Sequence, residues 1–233
     1  MFKKDSFIKN MADFLYPRYC YGCKRLLLKE EKLLCMHCCS QLMGMQIQKE
    51  EIDEVKEWLA DYCLIEHAVV GYYYTRPSLI QSVIYGLKFY GRIEYADFLG
   101  EKMAEKLLKT SCWQEIDVIL PMPLHPLRKW KRGFNQSELI ADVMAKKLRL
   151  PVETKAVKRR HYTRQQAKQT SLQRLKIDFG IFEAVKVEHL KGKHVLLLDD
   201  LITTGTTMAE CAVVLKKVPD IRISLCAVAM PAP

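Results

Sequence analysis

Apolar positions along this chain follow two periods, and the two alternate. The segments "CLIEHAVVGYYY", "DVILPMPL", "HVLLLDD" and "RISLCAVAM" carry short continuous apolar runs rich in Val, Ile, Leu and Tyr, which predict buried strands; "VETKAV" predicts a short one. Between them the period lengthens. "RPSLIQSVIYGLKF" reads as a helix opened by Pro77 near its first turn, and "EYADFLGEKMAEKLLK" as a second with Tyr95, Phe98, Leu99, Met103 and Leu107 in its apolar stripe. "NQSELIADVMAKKLRL", with Asn135 or Ser137 as candidate caps, and "TTMAECAVVLKKV" complete the set. Strands alternating with helices at this spacing predict βαβ units and a mostly parallel α/β sheet. Phe2 to Leu15 is compatible with a short amphipathic helix, "KEEIDEVKEWLADY" with a polar helical connector, and Lys158 to Thr170 with a basic loop.

At 233 residues and 49% hydrophobic content, the chain can hold one sizeable α/β domain and a small appendage. The division expected is residues 1–47 for an N-terminal helix and cysteine module, and residues 48–233 for the main domain. With no apolar run near the roughly 18 residues of a membrane span, and no secretory pattern at the start, a cytoplasmic protein without a membrane span is expected. The net charge of +10 is regional: between Pro121 and Lys176 there are 15 Lys/Arg against 3 Asp/Glu. Such a field suits an anionic partner, although a solvated basic face has the same composition.

Five of the 9 cysteines, Cys20, Cys23, Cys35, Cys38 and Cys39, fall within 20 residues, while Cys63, Cys112, Cys211 and Cys226 sit in apolar surroundings as small core residues. Cys20-x-x-Cys23 and Cys35-x-x-Cys38 are two knuckle pairs. Four thiolates so spaced satisfy a tetrahedral, closed, structural Zn²⁺ site. His37 and Cys39 remain alternatives for one ligand.

The chemistry-bearing stretch is "VLLLDDLITTGTT". Ligands of an open parallel sheet bind beyond the carboxyl ends of its strands, so Asp199 and Asp200 should border a site. The loop after them enters a helix at about Thr207, whose first N–H groups lack intrahelical partners. With the threonine hydroxyls and Gly205, this forms a cradle for a phosphomonoester. A sugar phosphate fits both halves: carboxylates for ribose hydroxyls, loop for phosphate. No G-x-x-x-x-G-K-[ST] or G-x-G-x-x-G occurs.

This stretch resembles the 5-phosphoribosyl-1-diphosphate (PRPP) signature of type I phosphoribosyltransferases. The resemblance implies that fold, with Asp199 and Asp200 holding the ribose 2- and 3-hydroxyls and Thr203, Thr204, Gly205, Thr206 and Thr207 holding the 5-phosphate, together with Mg²⁺. "DVILPMPLHPLRKWKRGFNQS" is similar to the family's pyrophosphate loop, through Pro123 and Leu124. "RGFNQSELIA", with the four cysteines, is more specific and resembles the ComF family, associated with DNA uptake in natural transformation. The ComF pattern includes Arg160, Thr163, Gln166 and Arg174; it commonly has an asparagine where Ile177 stands here. Arg160 is the cation assigned to catalysis beside the acid pair. Lys88, Arg128, Arg132, Arg159, Arg164 and Arg174 are candidates for pyrophosphate or nucleic acid.

Two functions are compatible with these residues. One is a Mg²⁺-dependent transferase acting on an unidentified acceptor. The other is a PRPP-binding protein that contacts single-stranded DNA, with Trp130, Phe134 and Tyr162 as stacking candidates among the cations, and with DNA-uptake or recombination proteins as partners.

Overall fold

The computed structural model describes residues 17–49, 52–60, 62–160 and 180–233. The helix expected over Phe2 to Leu15 lies outside them, as do Tyr162, Thr163, Arg164, Gln166, Arg174 and Ile177.

Four strands, β1 (Ala68–Tyr74), β2 (Val118–Pro121), β5 (His194–Leu201) and β6 (Arg222–Pro231), form one sheet in the order β1-β6-β5-β2. All three pairings are parallel. The sheet is buried on both faces, which is why its strands read as apolar runs. Leu196, Leu198, Cys226 and Val228 face one layer, and Val195, Leu197, Ile223 and Leu225 the other.

The first layer holds α1 (Met36–Gly44), α3 (Leu79–Tyr90), α4 (Glu94–Leu107) and α6 (Gln136–Leu148). The second holds α2 (Asp53–Ala60), α7 (Thr206–Leu215) and an antiparallel hairpin of β3 (Val157–Arg159) and β4 (Phe182–Ala184). In the first layer, Gly86 lets α3 meet α4, since a Cβ there would lie 2.1 Å from the Tyr95 ring. Cys20, Cys35, Cys38, Leu34 and Leu42 of the cysteine segment join the same apolar cluster as α3 and α4.

Several local expectations change. Pro77 precedes α3 instead of opening its first turn; the cap is Ser78, whose Oγ accepts the Gln81 N–H at 3.3 Å. Of "VETKAV", only Val152 bridges the sheet, at Ile119, because the chain then leaves for the hairpin. The basic loop expected from Lys158 therefore begins as a strand. The polar connector buries Val55 and Leu59 fully, so it is part of the second layer. Helix α5 (Pro126–Arg132) has no buried residue and hence no apolar stripe to announce it.

Candidate functional site

Strand β5 outruns its neighbour. Its last pairing with β2 is Leu198 to Pro121, whereas Asp199 and Leu201 still pair with β6 at Ala227 and Ala229. The acid pair thus stands within the strand but past the end of β2, beside an opening in the sheet's carboxyl edge. Both carboxylates find partners on helices of the first layer. Asp200, only 2% exposed, lies 2.8 Å through Oδ2 from Lys88 Nζ on α3. Asp199 Oδ1 accepts hydrogen bonds from Ser137 Oγ–H and from the Asp200 N–H, each at 2.9 Å. Burial and the adjacent Asp200 carboxylate push Asp199 up to about 7, with Lys88 and those two hydrogen bonds opposing.

After the acids, Ile202 is tied to the sheet by its N–H to Ala229 O at 3.0 Å, and the chain turns through Thr203 and Thr204, both exposed. Gly205 caps α7 at φ 72°, a conformation that costs an L side chain roughly 1–2 kcal/mol, and a Cβ there would meet Leu59 Cδ2 at 3.0 Å. The Thr204 and Thr206 hydroxyls are 2.9 Å apart, so the loop presents hydroxyls next to the free N–H groups of the helix start.

The β2 side is organised from α6. Asn135 Oδ1 caps that helix by accepting the Ser137 N–H at 3.1 Å, and its Nδ2–H donates to Met122 O at 3.0 Å, fixing the turn that carries Pro123 and Leu124. Arg132 donates to Gln136 Oε1 and lies over the Phe89 ring at 5.6 Å. Burial holds its guanidinium below the ordinary value; Asp200 opposes this and Arg128 adds to it. Arg159, over the Phe182 ring at 5.4 Å, is lowered by burial and then by Arg128, against Asp199 and Glu210. Lys88, Arg132 and Arg159 therefore act on the acid pair, and Arg128 acts on the two arginines. Arg160, the residue after β3, pairs with Glu183 across the hairpin. Sequence reasoning missed Ser137 as a partner of Asp199, because its position in the first turn of α6 marked it as a cap.

The second centre is the cysteine cluster. The ligand atoms of Cys20, Cys23, Cys35 and Cys38 all lie within 4.8 Å of one another, with Cys23 and Cys35 Sγ 3.6 Å apart. A tetrahedron of about 2.3 Å Zn–S bonds has edges of roughly 3.8 Å, so the donor set fits such a metal. The Cys35 and Cys38 N–H groups point at Cys20 Sγ (3.2 Å) and Cys35 Sγ (3.4 Å). Burial raises Cys35, but the Cys38 N–H, Arg25 and the neighbouring thiols outweigh it and bring it down to about 6. Glu31 closes the knuckle, accepting from the Leu28 N–H (2.8 Å), the Met36 N–H (2.7 Å) and Arg25 (2.5 Å). His37 is exposed beside Gln41, and Cys39 Sγ faces Leu34 O, so both stand apart from the four-sulfur group.

Residues 134–230 match the Phosphoribosyl transferase domain family. The chain is 34% identical over 137 residues to DNA utilization protein YhgH of Shigella flexneri, covering 57% of this chain and 59% of that relative. It is 35% identical over 104 residues to Competence protein F of Haemophilus influenzae, covering 43% and 44%. To Competence protein ComFC of Bacillus subtilis it is 24% identical over 191 residues, covering 82% and 75%. The matches thus span less than two thirds of the length of the first two relatives. The acid pair and threonine loop fall within that match, and together with the parallel sheet they define a domain of the phosphoribosyltransferase fold, here joined to a four-cysteine cluster. The chain is thus similar to relatives named for DNA utilization and competence.

Proposed function

We propose that this protein binds PRPP with Mg²⁺ at the carboxyl end of β5 and handles single-stranded DNA during its uptake. The observation that carries the reading is the Asp199–Asp200 pair, set past the end of β2 and followed at once by the Gly205 turn. Two carboxylates on successive residues can accept from the cis hydroxyls of a ribose. The Thr203–Thr207 loop and the first N–H groups of α7 suit the 5-phosphate. Pro123 and Leu124, with Lys88, Arg128, Arg132 and Arg159, border the space left for the diphosphate; Arg164 and Arg174 are further candidates. Asp199 and Asp200 would hold Mg²⁺; burial and then the adjacent Asp200 carboxylate push Asp199 up to about 7, and a divalent cation there would favour its charged form. The ion supplies neutralisation of the leaving diphosphate. A structural Zn²⁺ on the four cysteines completes the assignment.

Calorimetric titration with PRPP tests it: Mg²⁺-dependent binding is expected, abolished in the Asp199→Asn, Asp200→Asn double variant. Absence of heat at saturating PRPP and Mg²⁺ overturns it. The DNA part is supported by the regional positive charge and by relatives named for DNA utilization and competence. It requires single-strand affinity that weakens with salt.

The cations around the acid pair also favour a second reading, turnover by phosphoribosyl transfer, because a departing diphosphate needs such neutralisation. Pyrophosphate release from PRPP across a panel of nitrogenous acceptors tests that. PRPP binding without release decides for a binding protein.

A further inference from the structure

Helix α3 ends in an exposed aromatic group that the phosphoribosyl crevice leaves unused. Tyr85, Phe89 and Tyr90 are 41%, 63% and 78% exposed, and the Tyr85 and Phe89 rings lie 5.3 Å apart at 34°. Helical geometry explains the placement. Ile80, Val83, Ile84 and Leu87 fill the core, Lys88 flanks them to reach Asp200, and residues 85 and 89 share the outward face. Gly91, at φ 60°, ends the helix there.

These rings line an open trough of about 1050 Å³ between α3 and the cysteine knuckle. Its far wall is Tyr21, with Arg92 5.0 Å and Lys24 5.9 Å from the ring centre. The acid of that wall, Glu94, is engaged by the Tyr21 O–H at 2.9 Å and by Arg92 at 3.8 Å. At the near end Arg132 covers Phe89, and Trp130, on the same short helix as Arg132, is 81% exposed. Exposed rings therefore alternate with cations from the crevice to the knuckle.

We infer that this trough is the seat of a DNA single strand, with unpaired bases stacked on Tyr85 and Phe89 and phosphates held by Arg92, Lys24 and Arg132. The inference rests on the reading above that the protein handles single-stranded DNA, and it names where the strand lies. Unpaired bases fit because aromatic stacking tolerates any base, whereas duplex DNA keeps its base faces covered. Exposed aromatics among cations also occur at membrane surfaces, but there the rings stand on a convex face, and here they line a concave one. On this path the cysteine knuckle supplies the second wall of the groove.

The inference is tested by fluorescence anisotropy of labelled oligothymidylate with the full chain. Phe89→Ala and Tyr85→Ala should each weaken binding about tenfold, as expected from roughly 1–3 kcal/mol per stacked base, while Phe89→Trp retains it. The ring variants should keep the salt slope, and Arg92→Ala should lower it by about 0.7. Unchanged PRPP titration in the ring variants shows that their fold is intact. Wild-type binding with unaltered affinity in Phe89→Ala and Tyr85→Ala overturns the trough and leaves DNA handling standing. No binding by the wild type overturns both. Loss of sedimentation with anionic vesicles in Phe89→Ala, with oligothymidylate affinity intact, assigns the face to a membrane and also overturns it.

Discussion

Lys88 Nζ lies 2.8 Å from Asp200 Oδ2, with the two side chains 18% and 3% exposed. Residues 112 positions apart are thus joined across the layer between α3 and the tip of β5. Removing one partner of a buried pair leaves the other desolvated without compensation, the costly direction. Lys88→Met should therefore destabilise the ligand-free protein by about 2 kcal/mol, somewhat less than a fully buried pair because Lys88 is partly solvated. Urea unfolding reads this directly. An unchanged midpoint would remove the pair from the account of stability.

Asp199 gives a pH dependence of defined sign. Its folded-state value of about 7 lies above the ordinary carboxylate value of 3.8, so between these limits the folded state binds the proton that the unfolded state has lost. Its contribution to stability falls as pH rises from about 4 to 7 and levels above that. In thermal scans at a series of pH values, Asp199→Asn should lack this loss, so the variant gains on the wild type as pH rises. Parallel curves would show that the proton is not held there.

The sheet, its principal helices and the acid pair are legible from sequence because each has a local signature: a four-residue apolar run, a capped amphipathic period, two acids before a small-residue turn. What was not legible depends on tertiary placement. Helix α5 buries nothing and so shows no stripe. The hairpin is only three residues per strand, and its basic character hid the alternation Val157, Lys158, Arg159. The partnership of Ser137 with Asp199 spans 62 positions, and no spacing rule reaches so far.

Two neighbouring arginines differ in their partners. Arg159 turns inward, where Asp199 and Glu210 act on it, while Arg160 pairs with Glu183 with its side chain 61% exposed. An exposed pair contributes about 0–1 kcal/mol. Arg159→Ala should weaken PRPP binding about tenfold or more, as for loss of a cation facing a diphosphate, at roughly 1.5–3 kcal/mol per charged hydrogen bond. Arg160→Ala should change it less than about threefold. Titration of both variants ranks them; the reverse order would return the role to Arg160.

The cysteine cluster is coupled to the acid pair through α3. A Cβ on Gly22 would meet Cys38 Sγ at 2.6 Å and Leu79 Cδ1 at 2.8 Å, so the knuckle backbone lies directly against the start of the helix that carries Lys88. Tyr21 O–H reaches Glu94 at the start of α4 at 2.9 Å, and Cys20, Cys35 and Cys38 share one apolar cluster with both helices. Metal removal should therefore not release a separate module at a low temperature. It should lower the single main transition, by roughly 2–4 °C for each kcal/mol lost, and weaken PRPP binding as α3 loosens its hold on Asp200. Chelation in the presence of a colorimetric zinc indicator gives the stoichiometry, with one Zn²⁺ per chain expected, and calorimetry on the stripped protein gives the transition. A metal-free protein that melts and binds PRPP like the untreated one would show the four sulfurs to be independent of the site.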